Sequence, residues 1–240
     1  MPISLQYKSS RLKSVYGKFK EIHAVNLIHA ISLDFPSFQA LHSASILPPF
    51  PSSIMLKAQD ISFEVDSHGE PLVLLNKINF EIPAGHFMAI VGTSGCGKTT
   101  LLKTIAGMNL ETDGSFFWKG RDLSEEDFDP SEIGYVPQFS IAYDQLTVDE
   151  NIESAARLRV KFPHLEDMDE RIDTVLEETG LSSIADRRVK ILSGGQKRRL
   201  ALAMELVSQP QLLLCDEVTS GLDPQSEQEI VALLRDIDHK

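Results

Sequence analysis

A glycine-rich stretch in the first half of the chain carries the strongest chemical signal in the sequence. It matches the pattern G-x-x-x-x-G-K-[ST] with Gly92, Thr93, Ser94, Gly95, Cys96, Gly97, Lys98 and Thr99, and Thr100 follows directly. Glycines let successive backbone N–H groups converge on phosphate oxygens at a helix N-terminus, where the helix dipole also favours negative charge. We call residues 92–99 the phosphate loop. We expect Lys98 to contact the β- and γ-phosphates of a nucleotide and Thr99 to bind Mg²⁺.

The residues around the phosphate loop supply the strand and the helix that the pattern requires. The apolar run 87–91 predicts a buried strand before it, and residues 100–108 predict a helix after it. A chance glycine-rich loop is the alternative. It is disfavoured because the pattern and both of its flanks agree.

Two carboxylates, Asp216 and Glu217, follow a second apolar strand, predicted over 211–215. Ligands bind at the carboxyl ends of strands in open α/β sheets. We therefore expect Asp216 to hold Mg²⁺ directly or through water, and Glu217 to orient or deprotonate a water aimed at the γ-phosphate. An acidic pair after a strand is more often a solvated turn, but the phosphate loop upstream reverses that preference.

A second helix N-terminus has an unusual composition, which we call the signature stretch: Leu192, Ser193, Gly194, Gly195 and Gln196. Ser193 and Gln196 form a capping box for a helix predicted over 197–208. Adjacent glycines weaken a helix start unless another group must approach the backbone closely. Basic residues lie just inside this helix, so the stretch predicts a second anion site. A simply capped helix is the alternative.

The rest of the pattern predicts how these residues are positioned. Predicted strands are 56–65 and 75–82, which form an antiparallel flap, then 115–118 and 133–136; predicted helices are 147–160, 167–179 and 225–237. The strand 133–136 delivers Gln138 to a loop, where the pattern alone indicates only a surface amide. These elements predict an α/β fold: a mostly parallel sheet flanked by helices, as in P-loop NTPases, with an antiparallel β subdomain and a helical subdomain over about 139–208.

Composition limits the classes of function. The chain of 240 residues is 42% hydrophobic, which suits one domain with a packed core. The net charge of −12 argues against nucleic-acid binding through a general basic surface. Two cysteines provide neither a disulfide framework nor a four-ligand zinc site. No apolar run is long enough for a membrane-spanning helix, so any transmembrane role is expected through a partner.

The first fifty residues differ chemically from the rest. They carry a net charge of +3, which leaves −15 for the remainder of the chain. They show no sustained periodicity and end in a proline-rich run, so we expect residues 1–54 to form a disordered extension and 55–240 the folded domain. A transit-like segment and a translation start at Met55 are the alternatives.

From Leu56 onwards the chain resembles the ATP-binding cassette (ABC) ATPases. The resemblance rests on five features in this order along the sequence: the phosphate loop, Gln138, the signature stretch, Asp216 with Glu217, and residues 220–223. The signature stretch is the specific element of the resemblance. The family implies ATP and Mg²⁺ as ligands, with Lys98, Gln138 and Glu217 in catalysis. Gln138 would also touch Mg²⁺ and sense the transport domain, and residues 220–223 would lie at a dimer contact.

The resemblance further implies that Ser193, Gly194, Gly195 and Gln196 close over ATP held by the phosphate loop of a second ABC ATPase domain. The expected working unit is thus a head-to-tail pair, with a transmembrane transport domain as partner and no nucleic acid. It would be cytoplasmic, at the cytoplasmic face of a membrane. The sequence over residues 134–138 and 146–151 is similar to that of the white-type (G) exporter subfamily.

The sequence departs from the family pattern in two places. The position that should carry an adenine-stacking aromatic matches Val65, with Phe63 two residues earlier. The switch histidine would lie on a strand beyond Lys240, and His239 comes too soon, so we expect a truncated C-terminal part. Two alternatives follow: a nucleotide-binding module with impaired hydrolysis, or a non-transport ABC ATPase.

Overall fold

A computed structural model describes residues 4–6, 26–32, 54–86, 88–139 and 141–238. The strands are β1 (Ser4–Gln6), β2 (Asn26–Ser32), β3 (Ile54–Ser67), β4 (Glu70–Pro83), β5 (Met88–Gly92), β6 (Asp113–Trp118), β7 (Arg121–Asp122), β8 (Ile133–Val136) and β9 (Leu212–Asp216). The helices are α1 (Lys98–Ile105), α2 (Val148–Arg159), α3 (Leu165–Glu178), α4 (Gly194–Leu206) and α5 (Pro224–Asp238). Short 3₁₀ turns lie at Ser182–Ile184 and Val189–Ile191.

The strands form a five-stranded and a four-stranded sheet. The first has the order β1-β5-β2-β9-β8, in which β5, β2, β9 and β8 run parallel and β1 is antiparallel to β5. The predicted mostly parallel sheet is confirmed. Parallel strands bring their carboxyl ends to one edge, so the phosphate loop after β5, Gln138 after β8 and Glu217 after β9 leave the sheet on the same side.

Two segments of the first fifty residues lie in this sheet. β2 pairs with β5 on one side and with β9 on the other, and β1 pairs with the outer side of β5. Over these two segments the structure departs from the expected extension. The physical reason is that β5 and β9 each present a row of backbone donors and acceptors that must be paired when buried. The other residues before Ile54, with the transit-like and alternative-start hypotheses, lie outside the described residues.

The four-stranded sheet has the order β4-β3-β6-β7 and is antiparallel. The predicted flap is confirmed: β3 and β4 form a long hairpin that turns at residues 68–69. Leu56 and Ile61 of the hairpin are buried with Phe116 and Trp118 of β6 in one apolar cluster that includes Leu101 of α1. The hairpin is therefore packed directly against the helix that begins at the phosphate loop.

Three helices, α2, α3 and α4, which we call the helical layer, share a second apolar cluster built around residues such as Ile152, Val175 and Leu200. α2 begins with a capping box, in which the Thr147 side chain accepts from the backbone N–H of Glu150. α1 and α4 begin earlier than predicted. None of the helices over the described residues has the length and apolarity needed to cross a membrane.

Candidate nucleotide site

The phosphate loop joins β5 to α1 in a conformation that requires glycine. Gly95 and Gly97 have φ values of 76° and 100°, in the left-handed region that L side chains rarely adopt. A Cβ on Gly92 would lie 2.4 Å from the Sγ of Cys96. α1 has no side-chain cap at its N-terminus. Its first backbone N–H groups are therefore available to an anion, as the fit of a phosphate requires.

Lys98 lies inside the loop that precedes it. Its Nζ donates to the carbonyl oxygens of Gly92 at 3.1 Å and Thr93 at 3.0 Å, and lies 3.8 Å from Glu217 Oε1. The side chain is only 5% exposed, so its charge depends on these partners. Lys98 thus lines the cleft with its charge paired to the loop carbonyls and to Glu217.

Thr99 and Asp216 are in direct contact. The Thr99 hydroxyl donates to Asp216 Oδ1 at 3.0 Å, and the Tyr135 hydroxyl lies 3.4 Å from Oδ2. Asp216 is the last residue of β9 and is 1% exposed. A hydroxyl beside a carboxylate is an oxygen donor set that suits Mg²⁺, which commonly keeps several waters. Among the described residues, no cluster of three or more His, Cys, Asp or Glu side chains forms a metal cage.

Gln138 and Glu217 also meet. Gln138 Nε2 donates to Glu217 Oε2 at 3.0 Å. Glu217 has a φ of 50°, and a non-glycine residue held in this region is strained, which is common at functional positions. The strained backbone turns its carboxylate back towards Lys98 and Gln138. It thereby lies at the cleft and not in a solvated turn.

The cleft has a volume of about 380 Å³. It is lined by Val73, Leu74, Ser94, Gly95, Cys96, Gly97, Lys98, Thr99, Thr100, Gln138 and Glu217. The structure thus brings together most of the phosphate loop, Gln138 and Glu217, with Asp216 directly behind Thr99. Gly92 and Thr93 contribute carbonyl oxygens to Lys98.

Sequence reasoning missed Tyr135, Val73 and Leu74. Val65 and Phe63, the residues considered for contact with the adenine base, do not line the cleft. The apolar side chains at the cleft are Val73 and Leu74 of β4. The sequence feature that could have indicated Val73 and Leu74 is the apolar run 72–75. In the structure Leu72, Val73 and Leu74 are exposed. Tyr135 lies in an ordinary buried strand pattern, and nothing local marks it as a partner of Asp216.

The signature stretch lies apart from this cleft. Ser193 and Gln196 form the predicted capping box, and α4 begins at Gly194 instead of residue 197 because Ser193 is its N-cap. Ser193 and Gly194 are exposed, whereas Gly195 is buried. A Cβ on Gly195 would lie 2.8 Å from Ser226 Oγ, so close packing against α5 explains this glycine. Gly194 has no comparable constraint, since an added Cβ would make ordinary contact with Leu222.

Arg198 connects α4 to the loop that carries Gln138. Its Nη1 donates to the carbonyl oxygen of Pro137 at 3.2 Å. Partial burial lowers the pKa of the guanidinium, and the charge of Asp216 opposes this effect. The helix of the signature stretch is therefore tied to the residue before Gln138.

The chain is similar to known proteins in both sequence and structure. Residues 75–220 match the family described as "ABC transporter". The human protein ATP-binding cassette sub-family A member 6 is 34% identical over 195 residues, which are 80% of this chain and 12% of that protein. The chain thus spans a small part of this relative.

Two solved structures are similar to the fold. The dimeric post-hydrolysis state of the ATP-binding cassette MJ0796 with ADP and Pi has a TM-score of 0.69 at 28% identity, covering 77% of this chain and 83% of that one. The cbiO1 structure from Clostridium perfringens, part of the ABC transporter complex cbiONQ, has a TM-score of 0.68 at 28% identity, covering 78% and 75%.

Proposed function

Because the chain belongs to the ABC transporter family as an ABC ATPase domain, we propose that it hydrolyses ATP in a paired assembly to power transport through a membrane partner. The observation that carries this proposal is the meeting of three groups at one cleft. Glu217 contacts both Lys98 and Gln138, which come from different parts of the sheet edge. Thr99, the neighbour of Lys98, contacts Asp216, the neighbour of Glu217.

Each residue has a role that its position supports. The free N–H groups at the start of α1 bind the phosphates, and Lys98 neutralises charge on the β- and γ-oxygens. Thr99, Asp216 and Gln138 would hold Mg²⁺. When bound, this ion neutralises the charge that develops on the phosphates. Glu217 accepts a proton from, or orients, the attacking water, and Gln138 fixes the Glu217 carboxylate.

The test of hydrolysis is steady-state ATP turnover of the purified chain and of Glu217→Gln. The amide keeps the shape of the side chain but cannot accept a proton, so we expect turnover to fall about 100-fold or more while binding persists. Glu177→Gln, at an exposed position of α3, is the matched control and should leave the rate unchanged. Equal rates for the chain and Glu217→Gln would leave a nucleotide-binding module and remove the ATPase proposal.

The paired assembly is supported by the signature stretch. Ser193 and Gly194 are exposed at the N-terminus of α4 but do not line the cleft of their own chain. A helix N-terminus of this kind binds anions, and it becomes part of a nucleotide site when it faces the cleft of a second copy. We expect Glu217→Gln to dimerise when ATP is added, as measured by light scattering after size exclusion. A chain that stays monomeric at saturating ATP would contradict this assembly.

A membrane partner is supported by apolar side chains beside Gln138. Phe139 and Ile141 are 76% and 59% exposed, next to the glutamine that faces the cleft. Such side chains suit an apolar partner surface, which would place the domain at the cytoplasmic face of a membrane. Phe139→Glu should abolish co-purification with a membrane protein from the native host. Leu165→Glu, at an exposed leucine on α3, should leave co-purification intact. If both variants lose the membrane protein, or neither does, the proposed contact is contradicted.

A further inference from the structure

A chain of buried polar contacts joins the end of α2 to the cleft. Arg159 donates to both carboxylate oxygens of Glu205 on α4. Glu205 Oε2 also accepts from the backbone N–H of Tyr135 on β8 at 2.9 Å. The Tyr135 hydroxyl in turn reaches Asp216 Oδ2 at 3.4 Å. The contacts therefore run from the helical layer, through β8, to the carboxylate behind Thr99.

The groups in the middle of this series of contacts have almost no access to water. Glu205 is 3% exposed, Tyr135 8% and Asp216 1%. A buried carboxylate must be satisfied by protein donors, because each unpaired oxygen costs free energy. Asp216 Oδ1 has Thr99, and Tyr135 is the donor that the structure places at Oδ2. The orientation of the Asp216 carboxylate is therefore set by these two hydroxyls.

The ionisation of the two intermediate groups fits this role. Burial raises the pKa of the Tyr135 phenol, and the neighbouring charge of Asp216 raises it further. A phenol pairs with a carboxylate by donating its proton, so Tyr135 is the donor and Asp216 the acceptor in this contact. Burial also raises the pKa of the Glu205 carboxyl, and Arg159 and the Tyr135 N–H oppose that shift.

The backbone of Tyr135 is held on both sides. On one side it lies opposite Leu214 in the parallel β8·β9 pairing. On the other side α4 lies directly against β8, since a Cβ on Gly134 would lie 3.3 Å from Glu205 Cβ. A shift of α4 would thus move the Glu205 carboxylate and the Tyr135 backbone together.

Resting on the proposed function, we propose that Tyr135 and Glu205 are positioning residues that transmit the placement of the helical layer to Asp216, and so set how well the cleft takes magnesium with its nucleotide. Tyr135 acts on the Asp216 carboxylate through its hydroxyl. Glu205, fixed by Arg159, acts through Tyr135. Neither side chain lines the cleft, so neither is a catalytic residue.

The direct test is Tyr135→Phe, which removes the hydroxyl and keeps the buried ring. Equilibrium binding of a fluorescent ATP analogue is measured with Mg²⁺ and with EDTA, and the ratio of the two affinities is the gain due to magnesium. We expect this gain to fall about fivefold in Tyr135→Phe, the size of one net hydrogen bond, with the EDTA affinity unchanged. A merely structural role would weaken both affinities equally or neither, and either result overturns the proposal.

The link to the helical layer is tested by a double-mutant cycle. Arg159→Lys loses one of the two guanidinium contacts at a side chain that is 26% exposed, so the variant is expected to fold. In the unmodified chain it should lower the magnesium gain. In the Tyr135→Phe background it should lower it little further, because both changes act through one hydroxyl. If the two substitutions lower the magnesium gain additively, Arg159 does not act through Tyr135 and the proposed transmission is refuted.

Failure of this inference and failure of the proposed function give different results. If the unmodified chain shows no magnesium gain at all, the proposed nucleotide site itself is wrong. If the unmodified chain shows the gain and Tyr135→Phe retains it, the site stands and the positioning role of Tyr135 falls. Urea unfolding of each variant, followed by the fluorescence of Trp118, verifies that the compared proteins are folded.

Discussion

Glu217 Oε1 lies 3.8 Å from Lys98 Nζ, so the carboxylate proposed to direct water is charge-paired with the ammonium proposed to hold phosphates. An entering triphosphate offers Lys98 stronger anionic partners at shorter range. The lysine would then turn to the phosphates, and Glu217 would be released to face the γ-phosphate. Nucleotide binding would thus release the Glu217 carboxylate from Lys98 in the same step.

Lys98→Met should abolish most of the nucleotide affinity without unfolding the chain. Methionine keeps the length of the side chain but removes the charge, and charge-assisted contacts to phosphate are strong enough that we expect at least about a tenfold loss. Titration with a fluorescent ATP analogue measures it. Lys103→Met, at the exposed end of the same helix, is the control. Equal affinities for the two variants would show that Lys98 does not contact the nucleotide.

Glu132 should make stability depend on pH. Its burial alone would raise the pKa of the carboxyl, but the indole of Trp118, the N–H of Asp129 and the guanidinium of Arg121 outweigh this and lower the pKa below 4.5. A lowered pKa stabilises the folded state above the unfolded value, and the contribution is lost as pH falls through the folded value.

The expected result is a free energy of unfolding that declines in the unmodified chain as pH falls below 4.5, and declines less in Glu132→Gln. Urea titrations at several pH values, followed by Trp118 fluorescence, provide the comparison. Glu177→Gln controls for the loss of one acidic residue at an exposed position. Parallel profiles for the chain and Glu132→Gln would refute the shift.

Gly114→Ala should destabilise the fold far more than Gly120→Ala. Both glycines have positive φ, at 91° and 82°, so both substitutions carry the same backbone strain. Only at Gly114 would the new Cβ also meet backbone, 2.5 Å from the carbonyl oxygen of Gln59; Gly120 has open space. We expect a difference of about 2 kcal/mol or more in the free energy of unfolding. Similar unfolding midpoints would mean that β3 and β6 are not packed this closely.

Local patterns were enough to predict most of the elements that follow Ile54, including those that carry the residues of the cleft. The strand before the phosphate loop, the helix α2 and the strand that ends in Asp216 all follow from the spacing of apolar residues. The helix predicted over 225–237 is a further example, since α5 begins at Pro224 and the Asp223 carboxylate accepts from the backbone N–H groups of Gln225 and Ser226.

Contacts between distant segments were beyond the sequence. Tyr135 and Asp216 are 81 residues apart, and no local period indicates that one hydroxyl will satisfy one carboxylate oxygen. α1 begins at Lys98 and α4 at Gly194, inside the two glycine-rich stretches, whereas the predicted helices begin just after those stretches. The pairing of β2 between β5 and β9 likewise depends on unpaired strand edges, which only the assembled sheet reveals.

The central claim is that a cleft built around Lys98 is completed by Gly194 of a second copy. Gly194→Asp places a negative charge at the exposed N-terminus of α4, where a Cβ makes only ordinary contacts, so it should fold but repel the nucleotide of its neighbour. Lys98→Met and Gly194→Asp are therefore each expected to be inactive alone. The two variants are then mixed in equal amounts and the ATP turnover of the mixture is measured.

In a mixed pair, the intact Lys98 of one chain faces the intact Gly194 of the other, so one of the two clefts is restored. Random pairing then predicts about a quarter of the unmodified rate. Recovery of turnover on mixing would establish a shared site. A mixture that stays inactive although the two chains form dimers, or full activity of Gly194→Asp alone, would contradict the account.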